Sequence, residues 1–200
     1  MEYKVLKKIA DLVIPLCFRL EVINKPELPS DEGAVIASNH IHALDPILIS
    51  YAIYPQWLHH IAKKEIFDFP FLRPVMNWVG AIPLNRARPG TGMMKKAIKT
   101  FEKNEYLSIF PQGTRKKKEF GTIKKGATRL ALMGQVPIYP VAITGLENVG
   151  FFGLLKRPKV RIIFGEPINT NGLDYNKTEI INLTKELETK MKELYCKNRI

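Results

Sequence analysis

The chain has 200 residues, 46% of them hydrophobic and 25% charged, a balance that excludes a disordered segment and allows one domain with a sizeable core. Its 31 Lys and Arg residues against 19 Asp and Glu give a net charge of +12, which favours an anionic partner such as nucleic acid, an acidic membrane or a phosphorylated substrate. The two cysteines, Cys17 and Cys196, form no CxxC motif and indicate a reducing compartment rather than a disulfide framework.

The N-terminal stretch predicts an amphipathic helix, because its apolar residues recur at helical spacing and its lysines lie elsewhere around the helix. The longest uncharged run, Leu12 to Phe18, has seven residues. That is far short of the roughly 20 needed to span a bilayer. We therefore expect residues 1–20 to form a helix that associates with a membrane surface, ahead of a main domain at 21–200. A helix that packs only on its own domain is the alternative.

Short apolar strands alternate with helical stretches along the rest of the chain. This pattern predicts a single α/β domain with a central, mostly parallel, twisted β-sheet flanked by helices. The predicted strands are FRLEVIN, GAVIAS, LHHIA, one ending at Arg86, EYLSIF, VPIYPVAITG and KVRIIFG. The predicted helices are Pro46 to Tyr54, one with Thr91 as N-cap, one ending at Gly134, and a C-terminal one capped by Asn176 with Glu179. Two prolines in VPIYPVAITG predict an edge strand or an irregular start.

The stretch SNHIHALDP, residues 38–46, follows an apolar strand, and ligands of doubly wound sheets bind at the carboxyl ends of strands. Asp45 before Pro46 predicts a helix N-cap, worth about 1 kcal/mol. A carboxylate has two oxygens, so it can also accept the Nδ1–H of His40 and leave Nε2 free to take a proton. A metal site that adds His42 and a third ligand is an alternative, but no compact ligand spacing supports it.

Two later loops predict anion sites. Arg86 and Arg88 lie between a strand and a helix, and a helix N-terminus preceded by arginines binds anions. In FPQGTR, Gly113 allows a tight turn whose amides can hold an anion together with Arg115. The sequence contains no GxSxG, Walker or GxGxxG motif. A base without a protein nucleophile suggests direct transfer to a substrate hydroxyl.

Taken in order, these blocks resemble the glycerolipid acyltransferases typified by 1-acyl-sn-glycerol-3-phosphate acyltransferase. NHIHALD is similar to the family's NHx4D block, GAIPLNR to its second block, FPQGTR to its FPEGTR block and VPIYPVAI to its proline-containing fourth block. The resemblance runs from about residue 34 to 144. The chain departs from the family at Gln112, where glutamate is usual, at Lys116, where serine is common, and at His42, where a small polar residue is common.

The resemblance implies that His40 is the general base on the free hydroxyl of 1-acylglycerol-3-phosphate (lysophosphatidate), that Asp45 orients it, and that the product is phosphatidate. It implies acyl-CoA or acyl-carrier protein as the donor and co-substrate, no cofactor and no metal. It implies an acyltransferase domain at 21–200, attached peripherally to the cytoplasmic face of the cell membrane through an anionic lipid surface. The implied substrate-binding residues are Asn39, Arg86, Gln112, Gly113, Thr114 and Arg115.

Two other functions are open to a chain of this composition. The neutral Gln112 allows a different lysolipid acceptor, or a non-catalytic lipid- or membrane-binding protein on the same fold. A nucleic-acid partner is not expected, because no recognised motif is present and KKKEFGTIKK has only one aromatic residue for stacking. The sequence leaves the donor, the acyl-chain length and the oligomeric state open.

Overall fold

Strands and helices alternate along the chain as the hydrophobic pattern predicts. The structure, a computed structural model, describes residues 2–85, 91–115 and 119–199. The strands are β1 Arg19–Ile23, β2 Ala34–Ser38, β3 Leu58–Lys63, β4 Ile82–Leu84, β5 Tyr106–Ile109, β6 Ile138–Thr144 and β7 Lys159–Phe164. The α-helices are α1 Glu2–Cys17, α2 Asp45–Ile53, α3 Leu72–Trp78, α4 Thr91–Phe101, α5 Gly126–Gly134 and α6 Lys177–Asn198. Short 3-10 helices cover Lys64–Asp68 and Phe151–Lys156.

The strands form one sheet in the order β1-β7-β6-β2-β5-β3-β4. β2 lies near the middle, parallel to β6 on one side and to β5 on the other, with Val35 opposite both Ile138 and Leu107. Only β7 is antiparallel to its neighbour β6. The ends of β2, β5 and β6, at Ser38, Ile109 and Thr144, therefore meet at one border of the sheet, which we call the carboxyl edge.

Both faces of the sheet are covered, so its central strands are apolar on both sides. Along β2, Val35 and Ala37 pack in a core shared with α4, α5 and α6. Ala34 and Ile36 alternate to the other face and pack with α1 and α2. The predicted α/β class, with a mostly parallel sheet between layers of helices, is confirmed. Within the described ranges no helix is both long and apolar enough to span a bilayer.

The prediction that VPIYPVAITG is an edge strand is wrong, because β6 lies between β2 and β7. Pro140 is tolerated there because its missing N–H faces β7 at the point where that strand ends. Of the two hydrogen bonds that an antiparallel pair of residues can exchange, this pair makes one, from the N–H of Gly165 to the Pro140 carbonyl at 2.8 Å. The sheet thus loses one ladder hydrogen bond at the end of an antiparallel neighbour rather than in its interior.

Two predicted helix caps have different outcomes. Asn176 precedes α6, and its side chain accepts the N–H of Glu179 at 2.9 Å, as predicted. The second bond of a capping box is not made, since the N–H of Asn176 donates to the Asp174 carbonyl. Thr91, predicted as an N-cap, is instead the first residue of α4.

Candidate active site

The loop after β2 is organised around the Asp45 carboxylate, which is fully buried. Its Oδ2 lies 2.8 Å from Nδ1 of His40 and accepts the backbone N–H groups of Ile41 at 2.7 Å and His42 at 2.8 Å. An ionised carboxylate has no proton to donate, so the proton between the two side chains belongs to Nδ1. The Nε2 of His40 is left as the basic nitrogen, on a ring that keeps part of its surface exposed at the carboxyl edge.

Asp45 is the first residue of α2 and not its N-cap, so the predicted capping role is wrong. Leu44 occupies the cap position and makes no side-chain capping bond. The Asp45 carboxylate turns back over the loop because three donors converge there, whereas a cap would satisfy one amide of the helix. Pro46, predicted to open the helix, is instead its second residue, where proline is tolerated because the N–H groups of the first turn have no partner within the helix.

Asn39 continues the sheet beyond the last residue of β2. Its Nδ2 donates to the Ile143 carbonyl at 2.9 Å, and its Oδ1 accepts the Ile143 N–H at 2.7 Å. The side-chain amide thus pairs with β6 as a backbone residue would, and Asn39 is buried. The predicted contact between Asn39 and a substrate stays a prediction. The side-chain amide fixes the start of the loop that carries His40.

Gln112 is also buried, with 6% of its surface exposed. Its Oε1 accepts the backbone N–H of His40 at 3.0 Å, and its Nε2 donates to the Phe120 carbonyl. Both ends of the amide are therefore engaged inside the protein, where Gln112 bridges two loops. Its predicted contact with a substrate stays a prediction. A glutamate here would turn a carboxylate oxygen toward a carbonyl oxygen, which is the physical reason for an uncharged residue at this position.

The turn after Gln112 has the predicted shape. Gly113 has a φ of +74°, a conformation that favours glycine, and its N–H donates to the Phe110 carbonyl at 2.9 Å. A Cβ at Gly113 would lie 3.2 Å from Nζ of Lys124, so an ammonium group stands directly over the turn. Thr114 and Arg115 follow as exposed residues. The turn therefore offers two positive side chains on the same side of the sheet as His40.

The other predicted anion loop contains Arg86 and Arg88, and Lys116 follows the FPQGTR block. These residues lie outside the ranges that the structure describes. Their predicted roles stay predictions.

Phe110 is a site residue that the motifs did not single out. Its ring stacks on the His40 imidazole, with 4.3 Å between ring centroids and an interplanar angle of 25°. The signal in the sequence is the alternation of β5, since Tyr106, Ser108 and Phe110 share one face of the sheet. That face also carries the layer formed by α1 and α2.

His59 and His60 do not converge on His40. His59 lies between the Gly80 carbonyl and a Glu105 oxygen, both at 2.7 Å, while Nε2 of His60 lies 2.8 Å from the Ser50 hydroxyl on the opposite face. Burial, together with the neighbouring His59, lowers the pKa of His60 to about 3 and keeps it neutral. In the described part of the chain, no three His, Cys, Asp or Glu side chains are grouped as metal ligands.

The fold and site define the class of protein. A histidine held by a buried carboxylate, beside a glycine turn at the carboxyl edge of a mostly parallel sheet, lies where α/β enzymes of this architecture bind their ligands.

Comparison with known proteins identifies the family. The sequence model of the Acyltransferase family matches residues 19–144. The 1-acyl-sn-glycerol-3-phosphate acyltransferase of Bacillus subtilis is 32% identical over 194 residues, covering 96% of each chain. That of Streptococcus pneumoniae is 29% identical over 86% of this chain and 64% of its own length. The chain belongs to the acyltransferase family.

A solved structure supports the same fold. The crystal structure of the 1-acyl-sn-glycerophosphate acyltransferase PlsC of Thermotoga maritima superimposes with a TM-score of 0.73 at 22% identity. The superposition covers 98% of this chain and 80% of that one. The sheet and its helical layers are thus those of a solved member of this class.

Replacing Asp45 by Ala should destabilise the protein by about 3 kcal/mol, well above the ~1 kcal/mol of a lost cap, because two buried N–H groups and the His40 ring lose their acceptor. Asp45→Asn, which keeps one acceptor oxygen, should lose less. Urea unfolding measures both. Glu102→Ala, at an exposed position of the chain, should change the free energy of unfolding by less than about 0.5 kcal/mol. If Asp45→Ala lowered the free energy of unfolding by only about 1 kcal/mol, the carboxylate would contribute no more than a helix cap does.

Replacing Gln112 by Glu should destabilise the protein by about 1–3 kcal/mol, because a carboxylate cannot donate to the Phe120 carbonyl. The loss should shrink as the pH is lowered, since a protonated carboxyl donates again. Thermal unfolding of Gln112→Glu and Gln112→Ala at several pH values measures this, with the exposed neighbour Thr114→Ala as a control of unchanged stability. If both Gln112 variants kept wild-type stability but bound substrate more weakly, Gln112 would be a substrate ligand and not a structural bridge.

Proposed function

We propose that the chain transfers a fatty acyl group from an acyl thioester to the free hydroxyl of 1-acylglycerol-3-phosphate and so forms phosphatidate. The observation that carries the proposal is the His40–Asp45 pair, 2.8 Å apart, with the His40 ring partly exposed at the carboxyl edge. The relatives named 1-acyl-sn-glycerol-3-phosphate acyltransferase support the acceptor. A non-catalytic lipid-binding protein would not need an oriented base, so this geometry favours the enzyme.

In the proposed reaction, Nε2 of His40 takes the proton of the acceptor hydroxyl as its oxygen attacks the thioester carbonyl carbon. The new C–O bond forms, the C–S bond breaks, and the imidazolium returns its proton to the departing thiolate. The buried Asp45 carboxylate stabilises the imidazolium and holds the tautomer. A base of this kind contributes a factor of about 10²–10⁴ in rate, and positioning and electrostatics supply the rest.

The acceptor phosphate is proposed to bind at the Gly113 turn. Support comes from the exposed Arg115 beside the turn and from the Lys124 ammonium over Gly113. A planar guanidinium suits phosphate oxygens, and the positive φ of Gly113 lets the backbone approach closely. Arg86, predicted from the second block, is proposed as a further phosphate ligand on the resemblance alone.

The donor is proposed to be acyl-CoA or an acyl-carrier protein, with no cofactor and no metal. Both donors carry negatively charged phosphate groups, and the net charge of +12 favours either one. The hydroxyl, the base and the thioester already supply every atom that the transfer needs.

Attachment to an anionic membrane is proposed through α1. Ile14 and Phe18 fix α1 and its end in the core beneath it, while Leu12 and Leu16 point outward with 68% and 65% of their surface exposed. The helix therefore packs on its own domain and also keeps an apolar surface free, so the two interpretations of the N-terminal stretch are compatible. This supports a membrane-associating helix at residues 1–20 and an acyltransferase domain at 21–200.

A second exposed apolar segment strengthens this proposal. Phe69 and Phe71, the latter 90% exposed, follow the carboxyl end of β3 and thus lie on the border of the sheet that carries His40. α1 also ends near that border, because β1 runs opposite to β6. Two apolar contacts on the side of the site would let a lipid acceptor reach His40 from the bilayer. The cytoplasmic face of the cell membrane, where acyl thioesters are made, is the proposed location.

His40→Ala should lower acyl transfer by at least about 100-fold while leaving the protein folded, because it removes the proposed base. The assay uses detergent micelles, lysophosphatidate, and either acyl-CoA or acyl-carrier protein; circular dichroism confirms folding. The matched control His59→Ala removes a histidine from the far side of the sheet and should keep full turnover per folded molecule. Equal transfer by wild type and His40→Ala would refute the base, and transfer only to another lysolipid would refute the acceptor.

Leu12→Glu combined with Leu16→Glu should weaken binding to phosphatidylglycerol vesicles by at least about 100-fold, because each leucine that enters the lipid contributes about 1.5–3 kcal/mol. Vesicle sedimentation measures the binding. Met133→Glu places a single glutamate on an exposed apolar position of α5, on the opposite face, and should bind as wild type does. Unchanged binding in the double variant would show that α1 serves only to pack on the domain.

A further inference from the structure

The face of the His40 imidazole is covered by Phe110, whose ring lies 4.3 Å away and within 25° of parallel. Phe110 is half-buried and packs against the core beneath α1 and α2, so its ring is held by the fold as well as by its partner. Contact at this distance and angle is an offset stack, one of the favoured arrangements of aromatic pairs.

The Asp45 hydrogen bond alone does not fix the imidazole. It holds one ring atom, Nδ1, and the ring can still turn about its Cβ–Cγ bond within the range of angles that this hydrogen bond tolerates. Such turning would move Nε2, the atom that takes the proton, away from the substrate hydroxyl. The Phe110 ring blocks this motion from one side. The carboxylate and the aromatic face therefore fix different degrees of freedom of the same base.

The stack also acts on charge. The face of an aromatic ring is electron-rich and attracts a cation within about 6 Å. When His40 takes the hydroxyl proton it becomes an imidazolium, and the Phe110 face then stabilises it more than it stabilises the neutral ring. An interaction that strengthens only as the proton moves lowers the barrier of the chemical step without changing substrate affinity.

The backbone around Phe110 ties this ring to the rest of the site. Its carbonyl accepts the N–H of Gly113 at 2.9 Å, and Gln112 binds the N–H of His40 at 3.0 Å. One short segment therefore carries the proposed phosphate turn, the ring under the base and the amide that holds the base's backbone. A shift of this segment would move all three together.

From these contacts we propose that Phe110 is a positioning residue for His40, which fixes the plane of the imidazole and stabilises its protonated form during transfer. The inference rests on the proposed role of His40 as the base. Phe110 acts through His40 and not through contact with either substrate. Its removal therefore lowers kcat and leaves the KM values for both substrates nearly unchanged.

The test compares Phe110→Leu with Phe110→Tyr. Leucine fills much of the space but has no aromatic face, whereas tyrosine keeps it. Phe110→Leu should lower kcat about 10-fold, with KM for the acyl donor and the lysolipid within about twofold of wild type. Phe110→Tyr should restore kcat to near wild type. Phe101→Leu removes a ring from the other core of the sheet and should keep kcat per folded molecule.

Proton NMR of the His40 ring provides a readout that does not depend on turnover. A stacked phenyl ring shifts the imidazole protons upfield, so Phe110→Leu should move the Cε1–H resonance downfield and Phe110→Tyr should return it. Unchanged resonances in Phe110→Leu would overturn the stack, even if the wild type were inactive and the proposed function had failed. A raised KM for the donor with kcat unchanged would overturn the positioning role and make Phe110 part of the acyl path.

Discussion

The site depends on one buried carboxylate. Asp45 lies under the loop after β2 with its Oδ2 accepting three N–H groups, two of them from the backbone of Ile41 and His42. Burying a charge is costly unless hydrogen bonds compensate it. Here the compensating donors belong to the loop itself, so satisfying the carboxylate also fixes the conformation of the loop. The same oxygen therefore folds the loop, fixes the tautomer of His40 and prepares a countercharge for the imidazolium. The conformation of the loop and the proposed chemistry of His40 therefore depend on the same Asp45 oxygen.

That interaction works because of where the sheet places its strands. β2 lies between β5 and β6, so the loop that carries His40 is held from both sides at the carboxyl edge. On the β6 side the Asn39 amide pairs with the backbone of Ile143, and on the β5 side the Gln112 amide holds the His40 N–H. Two neutral amides hold the loop without adding a second charge next to the buried Asp45 carboxylate.

Gln112 shows how a departure from a family pattern is explained by contacts. By the family motif alone, Gln112 replaces the usual glutamate and removes a negative charge from a residue that the motif places at the substrate. In the fold it is a buried bridge to the Phe120 carbonyl that needs a donor, which an ionised glutamate lacks. Pro140 is a similar case. Proline predicts a sheet edge by its missing N–H, yet an interior strand accepts it where the antiparallel neighbour ends.

The sequence by itself determined the α/β alternation, the cap at Asn176, the pairing of His40 with Asp45 and the glycine turn at Gly113. These features depend on local periodicity or on residues a few positions apart. The short stretch of backbone between such residues restricts their geometry without help from the rest of the fold. Only the tertiary structure decided the roles of Asn39 and Gln112 and the stack of Phe110 on His40. Their partners are about 70 to 100 residues away and meet them only because parallel strands end together at one edge of the sheet.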